Sequence, residues 1–561
     1  MKKFFKHTSI ICFLMIGLTA CLDLQPIDKN STTGFNQDAV FAKCYASLAL
    51  SGQQGATGQG DVDDIDEGQS SFYRITWYLN EFPTEEGWWI WANDPGHKDV
   101  LTHNWNGDNI LVKGLYYRLN INIRFCNHFL ARTEGLTDEK TIQQRAEVRF
   151  LRALYSWYLL DMFNLIPFNE KESSELPKFK TRPQMYEWLV QDLENLIKDL
   201  PEKRINQYRV DKYAAWLLLA RVYLNAEVYT GTPAWADAQA AAEEALKGPY
   251  KLHTNGFTTS EGWYYSAYQQ LFMGDNRNNG AQDEALLLIY QDGAFSRSYS
   301  GQMIIAATRD NGFVKWGSDA NWKCFRTSPE FVDKFTKNNG IEVDRDTIKA
   351  NEYEMPKILS DDRAIFCSQY TSSDGTVKSF IVDGSMGVED AGWLKCWAAP
   401  KFTNVYSKSK SPADSEQYCS DKSWPDVNIP LFRLAEAYMI KAEALLRQGK
   451  AAEALDIINN VIRKRANAKP IELKDFNEQT LCDEWCREFY QEGRRRSDLV
   501  RFNRFAGPKA DAAAYNWEGR HGSTSTAGYK TMEEKFNWYP IPNDDKASNA
   551  NYKEVPGGDG Y

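Results

Sequence analysis

The stretch AAWLLLARVYLNAEVY, Ala214 to Tyr229, constrains this chain more than any other. Trp216, Leu219, Ala220 and Tyr223 recur at spacings of three and four, which puts them on one face of a helix. A short loop at Gly231 to Pro233 leads into a second helical stretch, AWADAQAAAEEAL. The same design recurs in IPLFRLAEAYMIKAEALLRQGKAAEALDIINNVIRK, where two helices meet at Gly449. Its small alanines let paired helices approach closely.

This is the W-x2-L-G-x2-Y spacing of a tetratricopeptide-like helix pair, with Ala in the Gly place. Such pairs cannot bury their apolar faces alone and must stack, which predicts a mainly α protein built on a right-handed helix-pair solenoid. Unrelated hairpins in an α bundle are the alternative. Gln143 to Asn164 adds an amphipathic helix with Val148, Leu151, Tyr155, Tyr158, Leu159 and Met162 on one face, closed near Pro167, and MYEWLVQDLENLIKDLP adds another, stopping at Pro201. Between about Gly248 and Asp426 glycine, asparagine, serine and aromatics replace the alanine-rich helices. This reads as an irregular, loop-rich lobe inserted between halves of the scaffold, with short strand-like runs in EALLLIYQDG and SFIVDG.

Length leaves the domain count open, since 561 residues fit several domains or one large α-rich unit. Aromatic residues are 14% of the chain and include 18 tryptophans, more than core packing usually asks for. Lys2, Lys3 and Lys6 precede an apolar run from Ile10 to Leu18 that is too short to span a bilayer, and LTAC follows. Those four residues resemble a bacterial lipobox, with residues 1–20 as signal and Cys21 as the lipidated first residue of the mature chain. A plain signal peptide with a coincidental cysteine is the alternative. Acyl chains on Cys21 would anchor the protein to a membrane.

Eight further cysteines after Cys12 and Cys21 are too sparse for a disulfide scaffold, and none has zinc spacing. His97 and His103 in HKDVLTH are a weak metal candidate. No phosphate-binding G-x-x-x-x-G-K-[ST] loop and no G-x-S-x-G elbow is present. The most basic stretch, EGRRRSDLVRFNRF, sits in a chain of net charge −10 that begins with an export signal, so no nucleic-acid partner is expected. Asp483, Glu484, Glu488 and Glu492 precede it and Asp498 lies inside it. Arg494, Arg495, Arg496 and Arg501 are therefore expected to pair with these acids and cap neighbouring helices.

The lipobox, DEGQSSFYRITWYLNEFPTEEGWWIW, RAEVRFLRALYSWYLLDMF, KYAAWLLLARVYLNAEVYTG, IPLFRLAEAYMIKAEALLRQG, DEWCREFYQEGRRRSDLVRF and WYPIP together resemble the SusD/RagB family, and within it the starch-binding members. The resemblance runs from Cys21 to the C-terminus and is weaker between about Asn338 and Asp421. It implies four tetratricopeptide-like helix pairs supporting a less regular ligand-binding lobe. On this chain the scaffold would cover about 36–247 and 428–505, and the binding region about 248–427 with 60–110 contributing. It also implies an outer-membrane, surface-facing lipoprotein, a SusC-type TonB-dependent transporter as partner, and a starch-like oligosaccharide or polysaccharide as ligand, with no required cofactor.

Matched by motif, the resemblance carries stacking aromatics onto Trp91, Tyr299 and Trp322 and a hydroxyl-contacting arginine onto Arg74. The family's asparagine falls at Asp94, whereas the asparagine here is Asn93. The chemistry fits, because a sugar ring offers an apolar C–H face to an indole and a rim of hydroxyls to polar neighbours. Trp88, Trp89 and Trp91 cannot all face one way, so at least one is structural. FMGDNRNNG and SWPDVN resemble calcium-holding segments, with Asp275, Asn276 and Asp426 as oxygen ligands for a structural calcium. Two other readings stand beside this one. Peptides or another glycan could be the ligand, and Glu85, Glu86 and Asp94 beside the tryptophans could form a glycosidase pair.

Overall fold

The structure is a computed structural model that describes residues 34–561 apart from 54–55, 57–58, 92–93, 310–316, 338, 340–343, 345–347, 352–359, 372–373, 380–396, 509–531 and 556. The signal and Cys21 lie outside the described residues, as do Asn93 and most of SFIVDG.

The protein is mainly helical, and caps written in the sequence set the helix starts. In chain order the scaffold comprises α1 (Gln37–Ala46), α2 (Phe72–Glu81), α3 (Ile110–Arg132), α4 (Glu139–Met162), α5 (Arg182–Ile197), α6 (Lys212–Leu224) and α7 (Trp235–Ala245). After the irregular lobe, which carries α8 (Tyr299–Ala306), come α9 (Leu434–Arg447), α10 (Ala451–Ile457), α11 (Glu478–Phe489) and α12 (Arg495–Arg501). Asn109 and Asp211 each accept two backbone N–H groups at the starts of α3 and α6, and Thr181 with Gln184 closes a capping box on α5. Gly449, at φ 80°, makes the left-handed turn that separates α9 from α10.

Helices pack as successive pairs: α3 on α4, α5 on α6, α6 on α7 and α9 on α10. α7 also packs on α9, so the helices before and after the irregular lobe form one continuous stack. Its seam is alanine-lined: Ala238, Ala241, Ala242 and Ala245 face a helix whose Ala435, Ala437, Ala442 and Ala444 are equally buried. The predicted stripe Val148 to Met162 on α4 is fully buried. α4 starts earlier and stops sooner than its periodicity suggests, because Leu165–Phe168 forms a strand paired antiparallel with Lys178–Thr181. The chain re-enters the scaffold along a second antiparallel ribbon, Ala285–Ile289 on Ile429–Arg433.

The basic stretch is buried, but its partners are not the ones sequence proximity suggests. Arg495 donates to Glu85 (3.0 and 2.5 Å), Arg496 to Asp161 (2.9 Å), Arg501 to Glu443 (2.9 and 3.1 Å), and Arg494 pairs with Glu436 (2.9 Å). Asp498 is a local partner, bridging Arg494 and Arg501. The neighbouring acids serve cations from elsewhere. Asp483 binds Lys334, Glu484 binds Arg363, Arg463 and Arg487, Glu488 binds Arg433, Arg465 and Arg363, and Glu492 binds Arg433 and Lys401. Arginine's planar fork lets each guanidinium join two or three segments at once, so this network ties α9, α11 and α12 to the irregular lobe.

Candidate functional site

Helix α8 organises the site. Tyr299 opens it, and at its far end Ala306 accepts the backbone N–H groups of Trp322 (2.7 Å) and Lys323 (3.2 Å). A helix of eight residues is about 12 Å long, which sets the spread between the two aromatic positions. Trp91 reaches the same place through a short ribbon in which Trp88 pairs with Arg326 and Trp89 with Phe325, continued by Ile90 N–H to Cys324 O at 2.7 Å. The Trp91 and Trp322 ring centroids then lie 6.4 Å apart with planes 36° apart.

Arg74 comes from α2, which docks on α8 through Ser71 and Ser300, whose hydroxyls are 2.9 Å apart. Its Nε donates to Tyr78 Oη at 2.7 Å, and its guanidinium lies 5.5 Å from the Trp322 ring centre. Gly68 closes the other side. A Cβ there would stand 3.0 Å from both Arg74 Nη1 and the Tyr299 ring, so these two groups lie within about 6 Å of each other only because residue 68 has no side chain. Trp91, Trp322, Arg74 and Tyr299 therefore form one unbroken surface. All three rings are half-buried, so each keeps an accessible part.

Two strained residues flank the site. Lys323 (φ 48°) follows Trp322 and Arg297 (φ 43°) precedes Tyr299 by two residues; both are long side chains in the left-handed region. Such conformations cost about 1–2 kcal/mol each and persist where the surroundings fix them.

Trp88 and Trp89 are core residues, as the crowding of GWWIW requires. Asp94 Oδ2 accepts the Trp89 indole N–H at 3.0 Å, which gives Asp94 a structural task beside the site. His97 stacks among Tyr78, Phe82 and Trp89, and burial pushes its pKa down to about 4, so it is neutral at ordinary pH. His103 is instead packed on Trp105 and Phe505, and among the described residues no group of three His, Cys, Asp or Glu could hold a metal ion. Glu85 and Glu86 are buried, 0% and 2% exposed. Burial alone would raise Glu85, but Arg495 and Lys334 outweigh it and hold its pKa at about 2. These carboxylates brace the fold, closed off from solvent.

Asp275, Asn276 and Asp426 join the 271–293 and 404–428 segments by hydrogen bonds. Asp275 Oδ2 accepts from Ser407 N–H (2.8 Å) and hydroxyl (2.6 Å), Asn276 Oδ1 from Asn428 N–H (3.1 Å), and Asp426 from Gly293 N–H (2.9 Å), Ser420 N–H (2.8 Å) and Tyr406 Oη (2.5 Å). Proton donors aim at the oxygens an ion would need, so the arrangement does not fit a calcium cage as it stands. Melting the protein with excess chelator and with added calcium is expected to give midpoints within about 1 °C; a gain of several degrees with calcium would show that the segments rearrange around an ion.

A further ring belongs beside the site. Trp424 stands edge to face against Tyr299, with ring centroids 5.1 Å apart at 72°. It lies in SWPDVN, a stretch whose resemblance is to a calcium-holding segment, and only its contact with Tyr299 reveals it.

Residues 290–557 match the SusD family. Over 579 aligned positions the chain is 38% identical to the starch-binding protein SusD of Bacteroides thetaiotaomicron, covering 98% of each. Among solved structures, the fold is similar to a SusD-like carbohydrate-binding protein of Bacteroides fragilis (TM-score 0.64, 17% identity, 92% of this chain and 98% of that one). It is also similar to surface glycan-binding protein A of Bacteroides thetaiotaomicron in complex with laminarihexaose (TM-score 0.62, 17% identity, 92% and 97%). Identity across nearly the whole length, on the helix-pair fold these structures share, means that the chain belongs to the SusD family.

Proposed function

We propose that this protein is a cell-surface glycan-binding lipoprotein that captures starch-like α-glucans or maltooligosaccharides and delivers them to a SusC-type TonB-dependent transporter. The observation that carries the reading is the continuous surface of Trp91, Trp322, Arg74 and Tyr299, three part-exposed rings with a guanidinium set among them. Indole and phenol faces suit the C–H faces of successive sugar rings, and the guanidinium suits their hydroxyls. The 38% identity to a starch-binding relative favours α-glucans over other sugars. In the same reading Cys21 carries the lipid that holds the protein to the outer membrane, and the transporter is the partner that receives the ligand. No helix among the described residues is long and apolar enough to cross a membrane. The buried state of Glu85 and Glu86 speaks against hydrolysis, in keeping with a binding family.

The test is native electrophoresis of the mature protein through gels containing soluble starch, a β-glucan or a peptide mixture. Retardation by starch alone is expected. Free migration through starch would refute the α-glucan assignment, and retardation by another gel would replace it.

A further inference from the structure

Trp424 is built into the binding face by three independent restraints. Asp421 Oδ1 accepts the backbone N–H groups of Ser423 (2.7 Å) and Trp424 (3.0 Å), forming a tight turn that fixes the start of the residue. Gly293 admits its carbonyl, since a Cβ at 293 would lie 2.2 Å from Trp424 O. The same loop is pinned to the loop that carries Trp322, with Asp319 N–H donating to Lys422 O at 2.9 Å. Trp424 is thus tied to the Tyr299 ring on one side and to the Trp322 loop on the other.

A fully structural tryptophan would bury its ring and give its indole N–H a partner. Trp424 does neither. It is half-buried, and among the described residues its indole N–H meets no acceptor. The ring thus keeps accessible apolar surface next to Tyr299, which is what a further sugar unit would use.

We propose that Trp424 is a fourth stacking position, beyond Tyr299, which the ligand reaches only when it is longer than the Trp91–Trp322–Tyr299 surface, so that it sets the preference for chain length. This rests on the glycan-binding reading above. Successive contacts link Trp91 to Trp322, Trp322 to Arg74, Arg74 to Tyr299 across Gly68, and Tyr299 to Trp424, so a short ligand on the first three rings would leave Trp424 uncovered. Trp424→Ala is expected to weaken binding of a long α-glucan about tenfold while changing binding of maltotriose less than twofold. Trp424→Phe, which keeps a ring, should restore most of the long-chain affinity.

Isothermal titration of the wild type and both variants with maltotriose and with a long maltooligosaccharide decides it. Unchanged long-chain affinity in Trp424→Ala, or equal loss for both ligands in both variants, overturns the proposal. If the wild type binds neither ligand, the glucan reading itself fails.

Discussion

Trp322→Ala is expected to abolish most of the retardation in starch and to weaken glucan binding roughly 30-fold, about 2 kcal/mol or more, the scale of a central aromatic contact. Trp322 is the ring that joins the others. It sits 6.4 Å from Trp91 and lies under the Arg74 guanidinium, so its loss removes a stacking face and also leaves the arginine with one aromatic support fewer. The variant should fold, because the site is set by backbone bonds from residues 322 and 323 to Ala306, which alanine keeps. Melting within a few degrees of wild type, beside lost binding, is therefore the expected pair of results. Trp322→Ala migrating as the wild type does would show that the ligand is held elsewhere. Trp91→Ala should cost less, since Trp322 and Arg74 stay together without it.

The helices were legible because their apolar stripes and caps are local. Val148 to Met162 and the Thr181–Gln184 box are decided within a few residues, so spacing alone reveals them. The contact of α7 with α9 was not, since nothing in either helix names a partner that returns only after the whole irregular lobe. Charge pairing, Asp498 with Arg494 and Arg501 apart, was illegible for the same reason. Glu484 lies three residues from Arg487 and does bind it, yet its other cations, Arg363 and Arg463, come from distant segments. In the site, the resemblance supplied Trp91, Tyr299, Trp322 and Arg74, because each lies in a recognisable local motif. Gly68 could not be read, because its role depends on two side chains from separate elements meeting over it. Glu85 and Glu86 look functional in sequence, being next to the tryptophans, but the ribbon at Trp88 turns them inward.

Glu484→Ala is expected to have the largest effect on the fold. Its carboxylate receives Arg363 (2.8 Å), Arg463 (2.7 Å) and Arg487 (2.7 Å) with no exposed side chain among them. Removing it takes from Arg463 and Arg487 their paired carboxylate and leaves Arg363 only Asp361 and Glu488, at a cost of about 3–5 kcal/mol, a large share of ordinary domain stability. The urea midpoint should fall accordingly, whereas Glu472→Ala, which breaks an exposed pair with Lys474, should leave it unchanged. A Glu484→Ala midpoint equal to wild type would mean that the network contributes nothing to holding the lobe on the scaffold. The same carboxylates set the response to acid. Burial alone would raise Glu484 and Glu488, but the surrounding guanidiniums outweigh it, holding Glu484 well below the usual carboxylate range and Glu488 at about 2. A carboxylate depressed in the folded state stabilises above its unfolded value of about 4.5 and loses that contribution as pH falls toward 2. The Glu81–Glu86 pair acts in the window above this: burial and the neighbouring Glu86 raise Glu81 and burial raises Glu86, so the pair takes up a proton on folding and adds stability as pH falls toward about 4.5, with no further change below it. Midpoints measured from pH 6 downward should therefore hold or rise to about pH 4.5 and drop steeply below it, and a midpoint still level at pH 3 would show that these arginines do not bear on the carboxylates as their distances imply.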